Sequence, residues 1–291
     1  MADHGVLEVL GSARADVGES PLWDAERGVL LWVDLLAGEL RATSPVGEEA
    51  VLITLDEPLG FVAPLVGGGL VAGTRSGVGI VDRDSGFELK VAIEPERPAF
   101  RINDGKCDPL GRLWLGTMSD ADPVDGRLYR VDRGWEIGYV REGVRLPNGM
   151  AWDGAGTTMF LADSAARSIE VWDYDLDEGC PTHRRTIIDL ALESGQPDGM
   201  AIDTDGCVWV ALWGGGAIRR YAPDGRCLAE RSVPAPLTAS CAFGGASFAD
   251  LFLTSARYRM SDEQLARYPL SGSLFRTQVG CKGLPADEYR P

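Results

Sequence analysis

Four short stretches carry side chains of the kinds that hold a hard cation or a carbohydrate. They are Val17-Gly18-Glu19-Ser20-Pro21-Leu22-Trp23, Arg101-Ile102-Asn103-Asp104-Gly105-Lys106, Leu146-Pro147-Asn148-Gly149-Met150-Ala151 and Gln196-Pro197-Asp198-Gly199-Met200-Ala201. The last two are near-copies, Pro-Asn-Gly-Met-Ala and Pro-Asp-Gly-Met-Ala. Aligned on one another, the stretches place Glu19, Asn103, Asn148 and Asp198 at equivalent points. Two carboxylates and two amide oxygens that converge make an all-oxygen site. Such a site suits Ca²⁺, Mg²⁺ or Mn²⁺, and Zn²⁺ and Fe²⁺ also accept carboxylates. Taken singly, Asn148 and Asp198 each precede a glycine and read as turn residues. The repeat reverses that preference, because an acidic group facing a shared channel is tolerable only with a cation or a proton. The second stretch sets Arg101, Asn103, Asp104 and Lys106 beside a strand. It reads as a loop that lines a pocket, with Asp108, Pro109 and Gly111 making the turn that follows.

Other chemistries find no residues to run on. There are two histidines, His4 and His183, so a His-rich zinc centre is excluded. No Gly-x-Ser-x-Gly elbow, Walker loop or Gly-x-Gly-x-x-Gly fingerprint occurs. Lys and Arg number 28 against 44 Asp and Glu, and the net charge of −16 argues against a nucleic-acid partner. No apolar run approaches the ~18 residues of a membrane span, and Met1 to Gly5 lacks the features of a signal peptide. The six cysteines are scattered without a Cys-x-x-Cys pair. They read as reduced, mostly buried thiols of a cytoplasmic protein, Cys107 among them. A monomer or weak dimer is expected.

The elements that must position these groups appear as a repeat of turn followed by strand. Its central large residues are Trp32, Leu70, Trp114, Phe160, Trp209 and Leu251, spaced by 38, 44, 46, 49 and 42 residues. That period is the length of a four-stranded propeller blade. A β-sandwich would show strands about 8–12 residues apart with no superposed period. A later strand recurs in each unit, at Gly38–Arg41, Val78–Asp82, Gly126–Asp132, Ser168–Asp173, Gly216–Tyr221 and Gly272–Arg276. The expectation is an all-β, six-bladed β-propeller with a central metal-binding channel, a single domain over residues 1–291. Leu274-Phe275-Arg276 is expected beside strands of the first or last repeat, closing the ring. Helix is expected only at Asp189–Glu193 and Ser261–Arg267.

The motifs also carry a family resemblance. It rests on Gly18–Asp24, Arg101–Pro109, Gly111–Met118, Pro147–Trp152, Asp173–Asp175, Pro197–Asp203, Thr238–Gly245 and the terminal Gly272–Phe275 with Val279–Pro285. Together, and in this order, they resemble the senescence-marker-protein, gluconolactonase and luciferin-regenerating-enzyme family over nearly the whole chain. The resemblance implies one divalent metal in the channel, held by Glu19, Asn148 and Asp198, with Arg101 and Asn103 facing the substrate. The family's acidic substrate contact after Gly116-Thr117-Met118 is matched loosely by Ser119-Asp120-Ala121-Asp122, with Asp120 the candidate.

The function expected on this basis is metal-dependent hydrolysis of a sugar aldonolactone, gluconolactone or a pentonolactone, to the aldonic acid. The metal would polarise the carbonyl and orient water, and Asp198 would serve as general base. Arg101 and Asn103 would hold sugar hydroxyls or the developing oxyanion, while Asp104 and Lys106 would brace their segment. Two rivals are a phosphotriester hydrolase on the same propeller and a calcium-binding regulatory protein without turnover.

Overall fold

The computed structural model describes residues 5–82, 86–119 and 125–291. It is all-β, with sheets arranged like a propeller and one short α-helix, α1 (Asp262–Arg267). β1 (Glu8–Leu10) opens the chain. Four antiparallel sheets of four strands follow. The first is β2 (Gly18–Asp24), β3 (Val29–Asp34), β4 (Glu39–Thr43) and β5 (Glu49–Thr54). The second is β6 (Leu59–Pro64), β7 (Leu70–Thr74), β8 (Gly77–Asp82) and β9 (Gly86–Ala92). The third is β10 (Phe100–Cys107), β11 (Leu113–Ser119), β12 (Gly126–Val131) and β13 (Ile137–Val144). The fourth is β14 (Pro147–Trp152), β15 (Thr158–Asp163), β16 (Ser168–Asp175) and β17 (Cys180–Asp189).

The remaining strands are β18 (Gln196–Ile202), β19 (Val208–Trp213), β20 (Ala217–Tyr221), β21 (Cys227–Ser232), β22 (Leu237–Gly244), β23 (Asp250–Ala256) and β24 (Leu274–Gln278). With β1 they form one sheet of eight. Within it, β18 to β21 pair in sequence, as do β22, β23, β24 and β1, and the pair Trp213 and Leu237 links the two sets. Leu274–Gln278 therefore lies between β23 and β1, with Phe275 opposite both Leu253 and Val9. The N-terminal strand covers an edge that would otherwise be open to another chain.

The periodic large residues all fall on the second strand of a set, where the core sits. Trp32, Trp114, Phe160, Trp209 and Leu251 are buried. The indole N–H of Trp114 donates to Tyr174, whose hydroxyl donates to the Asp108 carboxylate at 2.6 Å. The turn before β11 is thus tied to the core by its own Asp, which also accepts the Leu110 and Arg112 N–H groups. Asp203 does the same before β19, accepting from Trp209 Nε1 and the Asp205 and Cys207 N–H groups.

The first strands of the sets pack on one another in order: β2 on β6, then β10, β14, β18 and β22, and β22 returns to β2. Each carries a register shift against its neighbour, at Glu19/Leu22, Leu59/Phe61, Ile102/Asp104, Pro147/Met150, Pro197/Met200 and Thr238/Ser240. A bulge re-aims side chains and strengthens local twist.

Two expectations need correcting. The Arg101–Lys106 stretch is not a loop but the interior of β10, and its polar run fits a strand because the bulge at Asn103 breaks the alternation. Asn148-Gly149 and Asp198-Gly199, which taken singly read as turns, are strand interiors. Gly149 is needed there for close approach, since a Cβ on it would stand 2.4 Å from the Asp198 carbonyl oxygen. Asp189–Glu193 is a strand end and turn; of the two expected helices only Asp262–Arg267 forms, capped reciprocally by Ser261 and Gln264. No helix among the described residues is long and apolar enough to cross a membrane.

Candidate active site

The bulged first strands bring Glu19, Arg101, Asn103, Asn148 and Asp198 to one pocket of about 190 Å³. These come from β2, β10, β14 and β18, four different sheets. Val17, Leu35, Leu36, Met118, Leu146, Trp213 and Tyr258 supply its apolar wall, and Ser164 and Gln196 complete the lining. Asp120 lies outside the described residues.

Two aspartates set the entry of the strands that carry Glu19 and Asn148. Asp34, at the end of β3, accepts the Asp16 and Val17 N–H groups at 3.0 and 3.2 Å. Asp163, at the end of β15, accepts those of Arg145 and Leu146 at 2.8 and 3.0 Å. In both cases the clamped residue lies two positions before the pocket residue. Beside Glu19, Ser20 adopts a left-handed φ of 45°. Its hydroxyl accepts the Val62 N–H at 3.1 Å, which pins the β2 bulge to β6.

The polar groups are pre-oriented by one another. Asn103 Nδ2 donates to the Pro147 carbonyl at 3.1 Å, and its Oδ1 accepts from Arg101 Nη1 at 3.0 Å. Arg101 Nη2 also lies 3.1 Å from Met118 Sδ. The guanidinium is buried and held from several sides. Asn148 Nδ2 donates to Ser164 Oγ at 3.2 Å.

The electrostatics are those of a site built for a positive charge. Loss of bulk water pushes the Glu19 carboxyl up to about 8, and the Asp104 charge adds to the shift. Asp198 is buried and driven well above the carboxylate range, first by desolvation and then by Glu19 and Asp104. The Gly199 N–H and the Asn148 amide act the other way. Asp198 Oδ1 is buried with no hydrogen-bond partner. An orphaned carboxylate oxygen facing a second carboxylate and an amide fits a divalent cation, whose charge would relieve the repulsion. Among the described residues no group of three or more His, Cys, Asp or Glu side chains could hold a metal. The present set has two carboxylates, and its third member is the amide of Asn148.

Asp104 and Lys106 line a second cavity of about 260 Å³, shared with Asp287. Lys106 Nζ donates to the Met200 carbonyl at 2.8 Å and so ties β10 to β18. Asp104 is also pushed up by burial, and its Oδ1 accepts the Gly105 N–H. Its charge reaches Glu19 and Asp198, a larger part than bracing alone. Cys107 is 1% exposed, packed with Phe61, Leu113 and Tyr289, and burial raises its thiol far from the reactive range. All six cysteines are free; Cys107, Cys207 and Cys241 are buried, Cys281 half-buried, and Cys180 and Cys227 exposed.

Ser164, Asp34, Asp163, Trp213 and Tyr258 were not singled out from the sequence. The two aspartates had a signal, since Trp32-Val33-Asp34 and Leu161-Ala162-Asp163 end equivalent strands. Ser164 and Trp213 occupy one repeat position, shared with Leu35 and Met118, but the four differ in type and no motif marks them.

Known proteins resemble the chain over most of its length. The family model for the SMP-30/Gluconolactonase/LRE-like region matches residues 17–257. Regucalcin of Danio rerio is 35% identical over 288 residues, 97% of this chain and 98% of the relative. The 6-deoxy-6-sulfogluconolactonase of Pseudomonas putida is 35% identical over 271 residues, 92% of each. The crystal structure of a calcium-binding protein, regucalcin, from Agrobacterium tumefaciens superposes with a TM-score of 0.93 at 28% identity, covering 99% of this chain and 98% of that one.

Proposed function

The chain belongs to the SMP-30/gluconolactonase/LRE-like family, and on that premise we propose that it is a metal-dependent lactonase acting on a sugar aldonolactone. In this reading residues 1–291 are one domain of six four-stranded blades around a channel. The closed order of first-strand contacts and the pairing of β1 with β24 support it. The observation that carries the functional reading is the pocket itself. Its lining holds Glu19, Asn148 and an Asp198 oxygen with no hydrogen-bond partner, together with Arg101 and Asn103.

Glu19, Asn148 and Asp198 would hold the cation. The chemistry it supplies when bound is polarisation of the lactone carbonyl and acidification of water. Asp198, with one carboxylate oxygen for the cation and a second beside it, accepts the proton of the attacking water. Arg101 donates to the oxygen on which negative charge develops, and Asn103 keeps the guanidinium aimed by accepting from Nη1. The Trp213, Tyr258 and Leu36 wall shields the reacting ester from bulk water. The name of the Pseudomonas relative supports a sugar lactone as substrate.

The test is hydrolysis of a panel of hexono- and pentonolactones, followed by acid release, before and after exhaustive chelation. Turnover is expected on at least one lactone, falling to background on chelation and returning with added divalent metal. Turnover that survives complete metal removal would contradict the metal-dependent mechanism. Tight Ca²⁺ binding without hydrolysis of any lactone would favour a binding protein.

A further inference from the structure

Ser164 follows β15 directly, 2% exposed, at the edge of the pocket. Its hydroxyl hydrogen is committed, because Oγ donates to the Pro197 carbonyl at 2.6 Å. Toward Asn148 the same oxygen can therefore act only as an acceptor, and Nδ2 of Asn148 stands 3.2 Å away. This holds the Nδ2 end of the amide at Ser164 and so limits rotation of the Asn148 side chain at the pocket. The bond to Pro197 also reaches the residue just before Asp198, so one hydroxyl links β14 to β18. Ser164 is itself fixed. Its N–H donates to the Leu146 carbonyl, and the Asp163 carboxylate accepts the N–H groups of Arg145, Leu146 and Ala166 around it.

We infer that Ser164 is a positioning residue for the cation site: its hydroxyl fixes the rotamer of the Asn148 amide and ties that amide to the strand bearing Asp198. This rests on the reading that Glu19, Asn148 and Asp198 hold a divalent cation. Without the hydroxyl the amide loses the acceptor that holds Nδ2 and is free to rotate, and the Pro197 carbonyl loses the hydrogen bond from Oγ. Outer groups that orient metal ligands typically contribute about 10–100-fold in metal affinity.

The experiment is titration of metal-stripped full-length protein with Mn²⁺ alone, followed by the loss of the free-ion paramagnetic signal, and repeated with Ca²⁺ and Zn²⁺ by calorimetry. Ser164→Ala is expected to bind about 10–100-fold more weakly than wild type. Ser164→Thr, which keeps the hydroxyl, should recover most of that loss. In an Asn148→Ala background, Ser164→Ala should cost nothing further, because the group it orients is gone. A purely structural role would instead lower affinity equally in both backgrounds, and that result would overturn the inference. So would a Ser164→Ala variant that binds all three ions as wild type does while Asn148→Ala binds weakly; the cation site itself would then stand. Wild type that binds none of the three ions would sink both readings together. Should the alanine variant fail to fold, Ser164→Cys gives the same comparison, since a thiol is close in size and a far weaker hydrogen-bonding group.

Discussion

Replacing Asp198 with Asn, or Glu19 with Gln, is expected to leave the protein with well below one divalent cation per chain and with lactonase turnover near background. These two residues are the anionic members of the pocket set, so either change leaves a divalent cation with one compensating charge in a site screened from water. Asp198 also loses its part as base, a contribution of roughly 10²–10⁴-fold by itself. The same variants should change how metal-free stability depends on pH. In the folded, metal-free chain the Glu19 carboxyl titrates at about 8, against 4.5 for the ordinary side chain. Below 4.5 the folded and unfolded states both hold the proton. Between 4.5 and about 8 the unfolded chain releases it while the folded chain keeps it, so stability falls as pH rises, and above 8 it levels off. Metal-free wild type should therefore melt at a lower temperature at pH 8 than at pH 5.5. Glu19→Gln should flatten that dependence. Elemental analysis, initial rates and thermal melts across pH read these outcomes. Full metal content and full rate in Asp198→Asn would show both assigned roles to be wrong.

Arg101→Ala should separate substrate contact from metal binding. The guanidinium hydrogen-bonds Asn103 and Met118 and offers no oxygen to a cation, so its removal leaves the proposed cation ligands in place. What is lost is a charged donor aimed where the oxyanion develops. One such donor contributes about 2–4 kcal/mol, or roughly 10²–10³-fold in rate. Metal content should stay near one per chain while kcat/KM falls by that factor. Lysine is a poor substitute, since it lacks the planar fork that meets Asn103 and the substrate together. Loss of metal in Arg101→Ala, or an unchanged kcat/KM, would remove it from the substrate-binding role.

Much of this layout is legible in the sequence because a repeat protein writes its architecture several times. Trp32, Trp114 and Trp209 mark one strand of each set, and Pro-Asn-Gly-Met-Ala beside Pro-Asp-Gly-Met-Ala shows that Asn148 and Asp198 occupy one structural position. Asn-Gly and Asp-Gly are strong local turn signals that the repeat overrides, and here the glycines serve close packing of neighbouring first strands, which no local pattern reveals. The polar density of Arg101–Lys106 suggested a loop because bulged strands break the alternation used to recognise them. Asp104 was underrated because its influence on Glu19 and Asp198 is electrostatic and acts between sheets. Ser164 takes the place that Leu35, Met118 and Trp213 take in other sets, and because the residue type changes each time no shared motif marks it.

The proposed mechanism requires one divalent cation among Glu19, Asn148 and Asp198. Anomalous diffraction from crystals equilibrated with Mn²⁺ tests this directly. A single strong peak is expected about 2.0–2.6 Å from oxygens of all three side chains, absent from Asp198→Asn crystals treated in the same way. A peak elsewhere, at exposed carboxylates or at Asp104 and Asp287, with none between Glu19 and Asp198, would contradict it.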